Sequence, residues 1–174
     1  MTYQSPIRKA VIDTSTLFNA LVLHLAEKSP ESHRKAILEE SALSSYLRGS
    51  KSRQEAFLHL FRSIPMLLTT THVMAEVNGL LKKGQVKGAR HRAFWTHGMD
   101  LLNAKALDER FSLRLLEMFV DSALNEGVCT IGPVDTALIE LARREGCALL
   151  TDDKALGSRA WGIGVDCRLV YHLV

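Results

Sequence analysis

The stretch that decides the fold class is Lys9–Ser15, KAVIDTS. It begins with a short apolar run entered from a basic pair, which predicts a buried strand over 9–12. Apolar residues then recur at helical spacing over 16–25, so a helix follows the strand almost directly. A strand that leads into a helix is the start of an α/β unit, and Asp13 stands at the junction.

Strands and helices alternate along the rest of the chain. Short apolar runs predict strands over 66–70, 128–131, 148–151 and 165–170. Helical spacing predicts helices over 72–81, 94–102, 111–124, 134–145 and 154–161, and Gly146 is a good terminator for the fourth. This alternation predicts an α/β domain with a mostly parallel central sheet.

A helical insertion (residues 30–64) separates the first two strands. Ser29 followed by Pro30 predicts a helix start with Ser29 as its cap. Ser52 and Glu55 form a capping-box pattern for a second helix. The insertion therefore reads as two helices joined by a polar segment around 49–51, within a single domain that spans 1–174.

The composition excludes several classes of protein. The chain has 174 residues, 47% hydrophobic and 24% charged, with a formal net charge of +3, which is ordinary for a globular domain and excludes disorder and collagen-like repeats. The cysteines are odd in number and lack a C-x-x-C pair, so we expect buried free thiols in a reducing cytoplasm: Cys129, Cys147 and Cys167. No signal-peptide core and no apolar run of about 20 residues is present, so we expect no membrane segment.

Acidic side chains follow the predicted strands. Asp13 comes directly after the first, Glu76 one helical turn after the second, Asp135 after the strand at 128–131, and Asp152 and Asp153 after the strand at 148–151. The carboxyl ends of parallel strands share one edge of a sheet, where ligands bind. Taken singly, the aspartates are equally well explained as helix caps.

Together, these acids point to metal chemistry. Several carboxylates held close together repel one another and take up protons unless a cation neutralises them. Oxygen ligands suit Mg²⁺ or Mn²⁺, and such an ion activates water and stabilises charge on a phosphodiester. The pattern therefore predicts metal-dependent phosphodiester hydrolysis.

Four short motifs resemble those of the PIN-domain ribonucleases and, more loosely, of the VapC toxins within that family. They are AVIDTS at 10–15, TTHVMAEV at 70–77, PVDTALI at 133–139 and ALLTDD at 148–153. The resemblance runs from about residue 8 to 170. It implies a three-layer α/β/α sandwich and cleavage of single-stranded RNA with Mg²⁺ or Mn²⁺.

The resemblance also implies roles for individual residues. Four acids would hold the metal and carry catalysis: Asp13, Glu76, Asp135 and Asp153. Thr14, Ser15 and Thr151 would orient them. Asp152 is the alternative ligand to Asp153, which the T-x-D pattern favours. Asp13 and Glu76 lie 63 positions apart, more than in the compact toxins, so the extra helices are inserted between the first two acidic motifs. A toxin would have an antitoxin partner, and a homodimer is a further expectation.

A basic segment (residues 82–92) follows the second motif. It has no acid and contains five cations: Lys82, Lys83, Lys87, Arg90 and Arg92. These could hold phosphates while Trp95 stacks on a base, or the segment could be a solvated loop with Trp95 in the core.

Two rival functions share these features. One is a non-catalytic RNA- or partner-binding module in which the acids are only caps. The other is a phosphatase with Asp13 as nucleophile, which the absence of a D-x-D motif disfavours.

Overall fold

The computed structural model describes residues 6–41, 43–83, 89–103, 106–110 and 130–174. Its strands are β1 (Lys9–Ile12), β2 (Met66–Thr70), β3 (Ala106–Arg110), β4 (Ala148–Thr151) and β5 (Cys167–Leu169). Its α-helices are α1 (Thr14–Lys28), α2 (Glu31–Glu40), α3 (Lys51–Ser63), α4 (Thr71–Lys83), α5 (Ala89–Asn103), α6 (Pro133–Glu145) and α7 (Lys154–Gly162). Two 3₁₀ turns lie at Ser45–Leu47 and Val170–His172.

The strands form one sheet in the order β3-β2-β1-β4-β5, and every pairing is parallel. β1 is the central strand of this order. Ala10, Val11 and Ile12 are all fully buried, as a strand covered on both faces requires. Ala10 of β1 lies opposite Leu67 of β2 on one side and opposite Ala148 of β4 on the other. The carboxyl ends of β1, β2 and β4 therefore meet at one edge of the sheet.

Helices flank the sheet and complete a three-layer α/β/α fold, as expected. α1 packs against α2, α3, α4 and α5, whereas α6 packs against α7, β1 and β4. The helical insertion shares the core of the sheet, because Leu47, Phe57 and Ile64 are buried in the same hydrophobic cluster as β1.

The two caps predicted for the insertion are wrong. Ser29 ends α1 instead of starting α2, and its hydroxyl donates to the carbonyl of Leu25 at 2.8 Å. Ser50 caps α3 by accepting from the Arg53 amide, so Ser52 already lies inside the helix. At α3 a neighbouring serine meets the sequence rule equally well, whereas at α2 the N-cap position is taken by Pro30, which makes no side-chain cap hydrogen bond.

Two other differences concern the strands. β3 was not predicted, because ALDER carries three charged residues and has no apolar run; its pairing with β2 holds it at the edge of the sheet. The strand predicted at 128–131 is wrong at Thr130 and Ile131, which are helical. Residues 128 and 129, Cys129 among them, and the helix predicted at 111–124 lie outside the described residues.

Within the described ranges, none of the helices is both long and apolar enough to cross a bilayer. Cys147 and Cys167 are free thiols, and burial raises the pKa of Cys167 to about 12.

Candidate active site

Asp13 occupies the carboxyl end of the central strand and is itself buried, with 5% of its surface exposed. It caps α1 by accepting from the Thr16 amide at 2.7 Å, and the Ser15 hydroxyl donates to it at 2.9 Å. Burial raises the pKa of Asp13, and the hydrogen bonds from its neighbours oppose that shift. A carboxylate so placed favours a nearby cation, because a cation offsets the cost of burying its charge.

Thr151, the last residue of β4, joins two of the predicted acids. Its hydroxyl donates to Asp13 at 2.5 Å and accepts from the Asp153 amide at 2.9 Å. Asp153 in turn caps α7 by accepting from the amides of Ala155 and Leu156 at 2.7 and 3.1 Å. The end of β4 is thereby fixed against the end of β1.

Glu76 reaches the same region from α4. Val73, Val77 and Leu81 form the buried face of this helix, which leaves Glu76 exposed on its side. The Thr14 hydroxyl donates to Glu76 Oε2 at 2.5 Å and so ties α4 to the start of α1.

Asp135 lies in the first turn of α6, next to Gly132, which precedes the helix with φ +94°. Because 130–131 is helical, this turn of α6, and not a preceding strand, presents Asp135. Burial, and after it the charges of Asp153, Asp13 and Glu76, together raise the pKa of Asp135 to about 6. Ionised Asp135 therefore carries both a cost of burial and a repulsion from the other acids of the cleft.

These acids line one cleft of about 320 Å³. Its walls are Asp13, Glu76, Asp135 and Asp153, with Thr14, Ser15 and the backbone around 131–134. The structure thus brings together the four acids and the three hydroxyl residues that the sequence singled out.

The donor set suits a hard cation that keeps part of its water shell. Across the described ranges, no group of three or more His, Cys, Asp or Glu side chains is arranged to hold a metal ion. Mg²⁺, however, usually takes one or two direct carboxylates and retains several waters. The cleft offers oxygen donors of this kind, so its residues fit such an ion with the remaining acids acting through water.

Asp152 points elsewhere. Its Oδ2 accepts hydrogen bonds from Tyr46, Ser44 and Asn19 at 3.0, 3.2 and 3.3 Å. Burial raises the pKa of Asp152, and the bonds from Tyr46 and Ser44 oppose that rise. Of the two adjacent aspartates, Asp153 faces the cleft and Asp152 faces the helical insertion.

The sequence reading missed the partners of Asp152. Asn19 is buried in α1 and also bonds Ser44, through its amide nitrogen at 2.8 Å. The available signal was the position of Asn19 inside the apolar stretch Leu17–Leu25. A buried amide needs hydrogen-bond partners, so this position indicates that polar groups lie nearby. Ser44 and Tyr46 carried no comparable signal.

The basic segment is described only in part. Lys82 and Lys83 belong to α4, Arg90 and Arg92 belong to α5, and Lys87 lies outside the described residues. Arg92 is exposed. Trp95 is half-buried, and its ring meets Phe94 edge-on at 5.5 Å between centroids, so part of it packs in the core.

The chain thus forms a parallel α/β/α fold with acids gathered at the carboxyl edge of its sheet. The family model for the PIN domain matches residues 36–161, so the chain belongs to the PIN domain family. PIN domains are generally nucleases, a class of hydrolase. No curated protein and no solved structure matches the chain. The matched range contains Glu76, Asp135 and Asp153 and begins after Asp13.

Proposed function

We propose that this protein is a metal-dependent endoribonuclease that cleaves single-stranded RNA in the cytoplasm. Asp13, Glu76, Asp135 and Asp153 would hold Mg²⁺ or Mn²⁺. The observation that carries the proposal is that these four acids line one cleft at the carboxyl edge of the sheet, because carboxylates held together repel one another unless a cation neutralises them.

The chain's own part in the reaction is to fix its acids before substrate arrives. Thr151 and Ser15 hold Asp13, and Thr14 holds Glu76, so the carboxylates need not reorganise during the reaction. When bound, the ion supplies Lewis acidity that activates water and balances the charge that builds up on the phosphodiester. The basic segment, which follows the Glu76 helix, would attract the phosphate backbone of RNA.

A narrower form of the proposal is a VapC-like toxin with an antitoxin partner and a homodimeric state. The long helical insertion distinguishes this chain from compact toxins. This narrower form requires that expression of the protein arrests growth. It also requires that a co-encoded small protein relieves the arrest and co-purifies with this chain.

The experiment is cleavage of an end-labelled single-stranded RNA with Mn²⁺, with and without a chelator. We expect cleavage that needs the metal and is lost in Asp13→Asn and Asp135→Asn. The control is Glu55→Gln, an exposed acid on α3 that lies 3.8 Å from Lys51 and should cleave normally. Equal cleavage by all four proteins would mean that a contaminating nuclease is responsible.

One observation favours a second candidate, the RNA-binding module. Asp13 and Asp153 both cap helices, so two of the four acids have a structural role without any metal. Tight RNA binding without cleavage in the presence of any divalent ion would support this alternative over the nuclease.

A further inference from the structure

We propose that Lys154, Tyr171 and His172 form a stacking subsite that holds one nucleotide of single-stranded RNA beside the cleft. The proposal rests on the proposed function and adds to it a second contact surface for the substrate, separate from the basic segment. Tyr171 and His172 lie beyond residue 161, where the family match ends.

The sheet places this subsite next to the acids. Thr151 of β4 pairs with Leu169 of β5. Asp153 and Tyr171 each lie two residues beyond that pair, at the same carboxyl edge of the sheet. Lys154, which follows Asp153 directly, has its Nζ 5.8 Å from the centroid of the Tyr171 ring.

The three side chains form an aromatic and cationic cluster. The His172 ring meets Tyr171 at 4.3 Å between centroids and at 72°, nearly edge-on. Lys154 and His172 are exposed and Tyr171 is half-buried. The ring centroids of Tyr46 and Tyr171 lie 6.2 Å apart. The Tyr46 hydroxyl donates a hydrogen bond to Asp152, which fixes the ring that packs against Tyr171.

This combination matches the chemistry of single-stranded nucleic acid. Bases stack on aromatic rings without regard to sequence, and a lysine beside the ring can take the adjoining phosphate. The flexible base of an unpaired strand can reach such a ring, whereas a paired base is already stacked in its duplex.

The order of the strands sets the distance between the subsite and the acids. β4 leads to Asp153 and lies between β1, which leads to Asp13, and β5, which leads to Tyr171. β5 and β1 are two strand spacings apart, on the order of 10 Å. An RNA strand that crosses the acids along this edge would meet the stacking subsite beyond β4.

The test is binding of a labelled single-stranded RNA, followed by fluorescence anisotropy in EDTA, where the proposed reaction does not run. Tyr171→Leu keeps an apolar side chain but removes the ring, and we expect about 10-fold weaker binding. Tyr171→Phe and Tyr171→Trp keep a ring and should bind within about 2-fold of the unsubstituted protein.

A salt titration tests the lysine independently. Lys154→Gln should reduce the slope of log Kd against log salt by about 0.7, the value for one phosphate contact to a single strand. The control is Lys35→Gln on α2, whose side chain is 81% exposed and pairs with Glu39; its slope should not change.

The outcomes separate the subsite from the function. If the unsubstituted protein binds and cleaves RNA but folded Tyr171→Leu binds equally well, the subsite is refuted and the proposed function stands. If Tyr171→Leu fails to fold, Lys154→Gln decides, and a slope equal to that of Lys35→Gln refutes the subsite. If the unsubstituted protein neither binds nor cleaves RNA, the proposed function fails first.

Discussion

Replacing Asp135 by Asn should stabilise the metal-free protein while it abolishes activity. The reason is that ionised Asp135 is partly buried and is repelled by the carboxylates that share its cleft, and burial and repulsion together raise its pKa from 3.8 to about 6. The amide of Asn has a similar shape and no charge, so it removes the repulsion without leaving a cavity.

The magnitude follows from the pKa. A rise of about 2 units corresponds to about 3 kcal/mol at most, at roughly 1.4 kcal/mol per unit. Asp135 is only half-buried, so solvent screening reduces this figure, and an acid in the first turn of a helix also gains up to about 1 kcal/mol from the helix dipole. We expect a net gain of about 1 kcal/mol in free energy of unfolding, or a rise in Tm of about 2–4 °C.

The pH dependence has a definite sign. Because the pKa of Asp135 is higher in the folded protein than in the unfolded chain, the folded state binds the proton more tightly and ionisation destabilises it. The gain in free energy of unfolding from Asp135→Asn should therefore be complete above about pH 6. It should shrink between about pH 6 and 4 and vanish at lower pH.

The assay is thermal unfolding in EDTA at several pH values, with Glu55→Gln as the matched exposed acid. That control should differ from the unsubstituted protein by less than about 0.5 kcal/mol. Adding Mn²⁺ at 100-fold excess over Kd should raise the free energy of unfolding of the unsubstituted protein by about 2.7 kcal/mol, and its Tm accordingly. The same addition should stabilise Asp135→Asn much less.

Two results would refute this reasoning. Asp135→Asn could be no more stable than the unsubstituted protein at pH 7.5 in EDTA, which would mean that burial and repulsion together cost ionised Asp135 no more than the helix dipole contributes. A gain that does not change between pH 7.5 and 4 would mean that its origin is not the ionisation of Asp135.

Substitutions at three further positions test the framework by urea denaturation. Thr151→Val removes a donor from buried Asp13 and should cost about 2 kcal/mol, most of which Thr151→Ser should recover. Tyr46→Phe removes one of three donors to Asp152 and should cost about 1 kcal/mol, while equal stability would show that this bond contributes nothing. Gly146→Ala should cost about 1 kcal/mol through its φ of +58° alone, because no atom lies within 4 Å of the added Cβ, and Gly146→Asn should cost less.

The strands that hold the site could be predicted because each is a short apolar run that ends in a polar residue. β1, β2 and β4 are of this kind, and they lie at the centre of the sheet, where burial on both faces demands apolar side chains. β3 could not be predicted, since an edge strand is held by its single neighbour and its own sequence is free to be charged.

The acids could be named from sequence, but their arrangement could not. Asp152 and Asp153 are chemically identical neighbours, and only the path of the chain at the end of β4 turns one toward the cleft and the other toward Tyr46. The sequence placed Asp135 after a strand at 128–131, whose last two residues are helical, yet the N-terminal turn of α6 brings Asp135 to the same cleft.

The hydrogen bond between Thr151 and Asp13 joins residues 138 positions apart. A growing chain that has emerged only as far as α6 carries Asp13, Glu76 and Asp135, but it has neither Thr151 nor Asp153. The cleft becomes complete only when β4 docks beside β1, which requires closing a very long loop late in folding. Biosynthesis thus delays any activity of this cleft until β4 and Asp153 have been made.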